Sequence, residues 1–212
     1  MKPLVDASLD GTQKIVVSAR TGSEQGSLIP AVLRMTKYSG AIRIDDINLK
    51  NVPRVVLRSS ITTITRQGLE LDATLRTNLD PLSMTECYFS DEDLISMLHR
   101  VRLWDAVQRR GGLDASMSRM RFSPAQRQLL GLARGALHHR REGTRVVLID
   151  DAITAHLDEH MRTRMNDFID GEFAACTVLM VAHDLEAIRT ADIVITIEGG
   201  AITSVLAQNG AG

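Results

Sequence analysis

Cysteine is scarce: Cys87 and Cys176 stand far apart and outside any metal-ligand spacing. This argues against a cysteine metal site and for a reduced, cytosolic compartment. No apolar run approaches the roughly 18 residues a membrane span needs, so no span of its own is expected. The first residues, MKPLVDASLDG, lack the apolar core of a signal peptide. A basic excess is missing as well. With a net charge of −1 the chain is not expected to bind nucleic acid. Repeats and low-complexity tracts are absent. What is present is globular in character: 212 residues, 44% hydrophobic and 24% charged, enough for one well-cored domain or two small lobes sharing an interface.

Clusters rich in Val and Ile alternate with longer segments of helical period, the pattern of a sheet layered with helices. Residues 13–18 (QKIVVS) read as a buried strand running into a turn around Gly22, and 27–37 as a helix interrupted by Pro30. Short strands are expected at 41–45 and 61–65. Leu94, Leu98, Val101 and Val107 recur at helical spacing, so 91–108 reads as an amphipathic helix broken near Trp104 and ended by Gly111-Gly112. Ser123 followed by Pro124 is a cap residue and then proline at the first helical position, predicting a helix over 124–138. Strands at 145–150 and 177–182, helices at 159–170 and 185–190, and a hairpin of 193–198 with 201–206 across Gly199-Gly200 complete the chain. The expected division is a core of about 1–77 and 141–212 with a mostly helical lobe of about 78–140 inserted into it.

Three segments carry chemistry. VVLIDD at 146–151 is a hydrophobic strand ending in acids, and a carboxylate in that position is placed to hold Mg²⁺. Its bland alternative is a helix cap or a solvated strand end. TVLMVAHDL at 177–185 brings His183 to the same edge of the sheet, where a hydrogen-bonded structural histidine is the alternative. SARTGSEQGSL at 18–28 is a strand, turn and helix with small residues where a phosphate loop would sit, yet it fails the G-x-x-x-x-G-K-[ST] pattern.

Together the segments resemble a known family. FSPAQRQLLGLARGAL at 122–137 resembles the signature segment of ATP-binding cassette (ABC) ATPases. VVLIDDAITAHLD downstream of it resembles the Walker B strand and D-loop, and the histidine strand follows in the family's order. ITTITRQGLELDATLRTNLDP at 61–81 looks like the Q-loop region of the multidrug-resistance-associated (C) subfamily, especially its fungal members. LWDAVQRRGGLDASM has the look of a C-terminal cassette of that subfamily. The resemblance covers essentially the whole chain. It implies an α/β fold with a P-loop NTPase-like, RecA-type core and a mostly helical signature lobe. It also implies ATP and Mg²⁺ as cofactors. The implied partners are a second nucleotide-binding domain and transmembrane domains, met at the cytoplasmic face of a membrane.

Position by position, the resemblance implies a phosphate loop at Gly22, Ser23, Glu24, Gln25, Gly26 and Ser27. Gln25 stands where the family has its lysine, Glu24 where it has a glycine, and Gly26 at the Mg²⁺-binding hydroxyl, a role Ser27 takes only if the helix slips by one residue. A hydrogen bond to a charged group contributes about 1.5–3 kcal/mol, so losing the lysine weakens phosphate binding. The Q-loop glutamine falls on Arg66, with Gln67 next to it. In the signature, Ser123 and Gln126 match, while Ala125 replaces a glycine and Phe122 a leucine. Asp150 is the implied Mg²⁺ carboxylate, Asp151 stands for the catalytic glutamate, His183 for the γ-phosphate sensor, and Asp158 closes the D-loop. Asp151 is shorter than glutamate, and such a misplacement costs roughly 10²-fold in rate.

The family has two or three strands and an adenine-stacking aromatic before its Walker A strand, whereas no aromatic precedes Tyr38 here. Truncated N-terminal antiparallel strands are therefore expected. The sequence leads to a cassette domain that is weak or inactive by itself. A non-hydrolysing pseudo-ATPase, acting as an interaction or regulatory module, is the alternative favoured by Glu24 and Gln25.

Overall fold

The computed structural model describes residues 12–19, 28–65, 68–84, 88–150, 157–182, 185–198 and 201–208. Its strands are β1 (Lys14–Ala19), β2 (Arg43–Ile44), β3 (Ile47–Asn48), β4 (Ile61–Ile64), β5 (Val146–Asp150), β6 (Thr177–Val181), β7 (Ile193–Glu198) and β8 (Ala201–Ala207). Its helices are α1 (Leu28–Val32), α2 (Arg54–Ser59), α3 (Leu75–Leu79), α4 (Asp91–Arg100), α5 (Trp104–Gln108), α6 (Met117–Met120), α7 (Pro124–Glu142), α8 (Glu159–Glu172) and α9 (Leu185–Arg189). The chain divides into two compact units, one of 1–62, 144–151 and 175–212, the other of 63–143 and 152–174.

The first unit is built on a sheet of order β4-β5-β6-β1-β7-β8. β5, β6, β1 and β7 run parallel, and β8 returns antiparallel to β7. Parallel strands are covered on both faces, so they read as continuous apolar runs. Ile15, Val16 and Val17 show this, with 0%, 0% and 1% exposure. Ile29, Val32 and Leu33 pack with Leu49, Leu57, Ile61, Leu148 and Val181. Thr62 and Thr144, both buried, satisfy each other through a hydroxyl hydrogen bond of 2.8 Å. The α/β class expected from the sequence is observed.

The expected helix over 27–37 ends early. After α1, Met35 N–H donates to Pro30 O and Arg34 N–H to Ala31 O, with Arg34 at φ 52°. These are the paired bonds of a Schellman stop, which closes the helix through a left-handed residue. The Arg34 guanidinium then donates to the carbonyls of Leu49 and Val52. The strand expected at 41–45 shrinks to β2, which pairs with β3 across Asp45 and Asp46. Both turn residues have positive φ, as a two-residue turn matched to strand twist requires.

The second unit is helical and held by buried charge. Glu172 at the end of α8 has a side chain only 5% exposed, and it accepts from Arg100 of α4 and Arg140 of α7. Three helix ends therefore share one carboxylate. Arg141 donates to Asp80, an ion pair 9% and 7% exposed, and its guanidinium lies over the rings of Tyr88 and Phe89. Asn78 is buried yet satisfied: it accepts from Leu71 N–H and donates to the carbonyls of Leu71 and Thr74. Among the described residues, no helix is long and apolar enough to cross a membrane.

Candidate functional site

Val17 of β1 pairs with Val181 of β6, and Val181 with Asp150 of β5, so the three residues form one row across the sheet. The row lies at the carboxyl ends of parallel strands, the edge where α/β sheets hold their ligands. β6 separates β1 from β5. At strand spacings of about 4.8 Å, this sets the backbone of Asp150 roughly 10 Å from that of Val17. Asp150 is half-buried there. In sequence, 20–27 follows β1, Asp151 follows β5 and His183 follows β6 by two residues. Gly22, Ser23, Glu24, Gln25, Gly26, Ser27, Arg66, Gln67, Asp151 and His183 lie outside the described residues.

Ser123, Ala125 and Gln126 belong to the second unit and start α7. Ser123 is extended, with φ −65° and ψ 164°, and its Oγ accepts from Gln126 N–H at 3.2 Å. Gln126 Oε1 reaches back to accept from Ser123 N–H at 3.1 Å. This capping box forms because the two side chains stand three residues apart across the first turn. Pro124 fits beside it, since its missing N–H falls where a helix has no acceptor. Of the four N-terminal donors a helix normally leaves open, the box closes two and proline removes one. Among the described residues, Ala125 N–H is the one that keeps no intrahelical partner.

Three arginines that no local pattern marks, Arg110, Arg127 and Arg134, bond to or from this helix. Arg110 donates to Gln126 Oε1 at 3.4 Å and lies over the Phe122 ring. Arg127 pairs with Glu70 at 2.6 Å, and Arg134 donates to Asn78 O at 2.6 Å, so the segment just after Arg66 and Gln67 is fastened to α7. Burial lowers the Arg134 pKa, and Glu70 acts against that. Such pairings join residues far apart in sequence, and no local pattern announces them. Asp158 caps α8, accepting from Met161 N–H at 2.8 Å. Asp150 lies in the first unit and Ser123, Ala125, Gln126 and Asp158 in the second.

A mainly parallel sheet with Asp150 at its carboxyl edge, and a helical unit carrying the capped Ser123–Gln126 turn, make an α/β protein of the P-loop NTPase-like cassette class. The chain belongs to the ATP-binding cassette family. It is 35% identical over 189 residues to an ABC-type transporter of Gibberella zeae, covering 89% of this chain and 12% of the relative. To the ABC transporter gloK of Glarea lozoyensis it is 36% identical, over 89% of the chain and 14% of the relative. To ATP-binding cassette sub-family C member 4 of Mus musculus it is 32% identical, over 96% of the chain and 15% of the relative. The chain thus spans about one-eighth of the length of the curated relatives it matches. No family model matches it.

Proposed function

We propose that the chain serves as the nucleotide-binding domain of a transporter, opposite a second such domain and against transmembrane domains at the cytoplasmic face of a membrane. By itself it binds ATP weakly and hydrolyses it slowly or not at all. The observation that carries the first half is the row of Val17, Val181 and Asp150, which sets an acidic strand end two strands from the strand leading into residues 20–27. Asp150 fits Mg²⁺. Among the described residues, no group of three or more His, Cys, Asp or Glu forms a cage. One carboxylate suits a cation that keeps waters and phosphate oxygens as its other ligands. Bound there, Mg²⁺ and ATP supply a phosphoryl group open to attack by water.

The second half rests on substitutions. Gln25 brings no charge to a triphosphate, and Glu24 brings the wrong one. At α7, Ser123 and Gln126 are already engaged with each other, and Ala125 adds a methyl group beside the one open N–H. This end of α7 retains its favourable dipole for an anion but few free donors. Ser123, Gln126 and that dipole match the family where Glu24 and Gln25 do not, so the chain contributes more through α7, to a site whose phosphate loop comes from the partner domain.

Calorimetry with Mg²⁺ and ATP on the purified chain, beside a phosphate-release assay, tests this. The expected result is binding weaker than micromolar and no turnover. Micromolar binding with steady phosphate release would show that the altered loop is compensated, and the reading of weakness would fall.

A further inference from the structure

On the second unit, the turn between α4 and α5 faces α8 across a groove of about 490 Å³, lined by His99, Arg100, Arg102, Arg164, Met165 and Asp167. Three guanidiniums and an imidazole meet there with one carboxylate. Arg100 is already engaged, since it donates to Glu172 and lies 4.8 Å over the Phe168 ring. It forms part of the wall. Arg164 Nε donates to His160 Nε2 at 3.0 Å, which fixes the side chain and leaves its terminal nitrogens to the groove. Among the described residues, neither Arg102 nor Arg164 pairs with a carboxylate.

The placement of Arg102 is specific. Arg102 N–H donates to His99 O and Leu103 N–H to Leu98 O, and Arg102 stands at φ 58°. This is the left-handed closing position of a Schellman stop, which glycine fills without steric cost. Here an exposed arginine occupies it, with its charge held at the groove's rim.

We propose that this groove docks an acidic polypeptide segment, with carboxylates facing Arg102 and Arg164. Two guanidiniums without a carboxylate partner, on separate elements, match two acidic side chains on one segment better than a single small anion. A bare phosphate fills only a minor part of 490 Å³. A membrane surface does not enter a concavity, whereas a peptide lies along it. The proposal does not rest on the nucleotide reading, because every lining residue belongs to the helical unit and none is a motif position.

Trp104, the chain's one tryptophan, opens α5 with its ring 5.9 Å from that of His99, so its fluorescence reports on the groove. The experiment titrates the full chain with a synthetic glutamate-rich peptide, with the same peptide carrying glutamine for glutamate, with inorganic phosphate, and with anionic lipid vesicles. The glutamate peptide is expected to bind saturably, to change Trp104 emission and to weaken as salt rises, while the glutamine peptide is inert. Arg102→Gln with Arg164→Gln should weaken binding about tenfold or more. Asp167→Asn should strengthen it about twofold to threefold, a gain that misfolding cannot imitate. Absence of saturable binding overturns the proposal, and so does binding that ignores all three substitutions. Inorganic phosphate or vesicles competing as well as the peptide would overturn it too, by assigning the groove to another ligand.

Discussion

Ser123 and Gln126 cap the same helix turn reciprocally, each side chain accepting from the other's backbone N–H. The residues that the family resemblance marks as signature contacts are therefore also what starts α7, a helix of 19 residues. Removing a cap hydroxyl costs about 0.5–2 kcal/mol. Ser123→Ala should lower stability by that amount in urea unfolding, while Ser123→Asp, which keeps an acceptor, should stay near the parent. Equal loss in both variants would mean that the cap contributes nothing and that Pro124 alone sets the helix start.

Asp80 and Arg141 form a buried pair roofed by Tyr88 and Phe89. Breaking a buried pair from one side leaves an uncompensated charge and costs about 3–5 kcal/mol. Asp80→Ala should therefore destabilise by about that much. Combining it with Arg141→Met should recover a large part, because the orphaned charge is gone. A double-mutant cycle in denaturant midpoints measures this, and additive losses would contradict it.

Glu172 makes stability depend on pH. Burial raises its pKa, but hydrogen bonds from Arg140 and then Arg100 outweigh this, so the net shift is downward. A carboxyl depressed in the folded state adds stability above its unfolded pKa of about 4.3. That stability is lost as pH falls through the lower folded value. The parent chain should lose stability on acidification below about pH 5, and Glu172→Gln should flatten that acid limb. At neutral pH the same variant should cost on the order of 1–3 kcal/mol, the loss of hydrogen bonds to charged groups. An unchanged acid limb would place the titration elsewhere.

Elements whose signals are local were legible in the sequence. The start of α7 was readable because Ser123 and Pro124 announce it, and the apolar runs of β1, β5, β6 and β7 announce strands. The break before Trp104 was readable only in outline, because an arginine at 102 is not the residue that left-handed geometry favours. α2, α3 and α6 went unread: each spans four to six residues, too short for a helical period to register. At the site, the family resemblance picked out Ser123, Gln126, Asp150 and Asp158. It did not reveal that Ser123 and Gln126 satisfy each other, or that Asp158 caps α8. Pairings such as Arg127 with Glu70, or Glu172 with Arg100 and Arg140, depend on topology and leave no trace in local sequence.

If Gln25 and Glu24 are what weaken ATP binding, restoring the family's residues should reverse it. Lysine at 25 adds a charge-assisted contact of about 1.5–3 kcal/mol, roughly tenfold to a hundredfold in affinity. Glycine at 24 removes a negative charge that repels a triphosphate. Glu24→Gly with Gln25→Lys should thus tighten Mg²⁺-ATP binding at least tenfold by calorimetry. Turnover should still lag, since Asp151 is shorter than the glutamate it replaces and Ala125 crowds the signature. No gain in affinity would clear the two loop residues of blame. The obstacle would then lie with Pro30, inside α1.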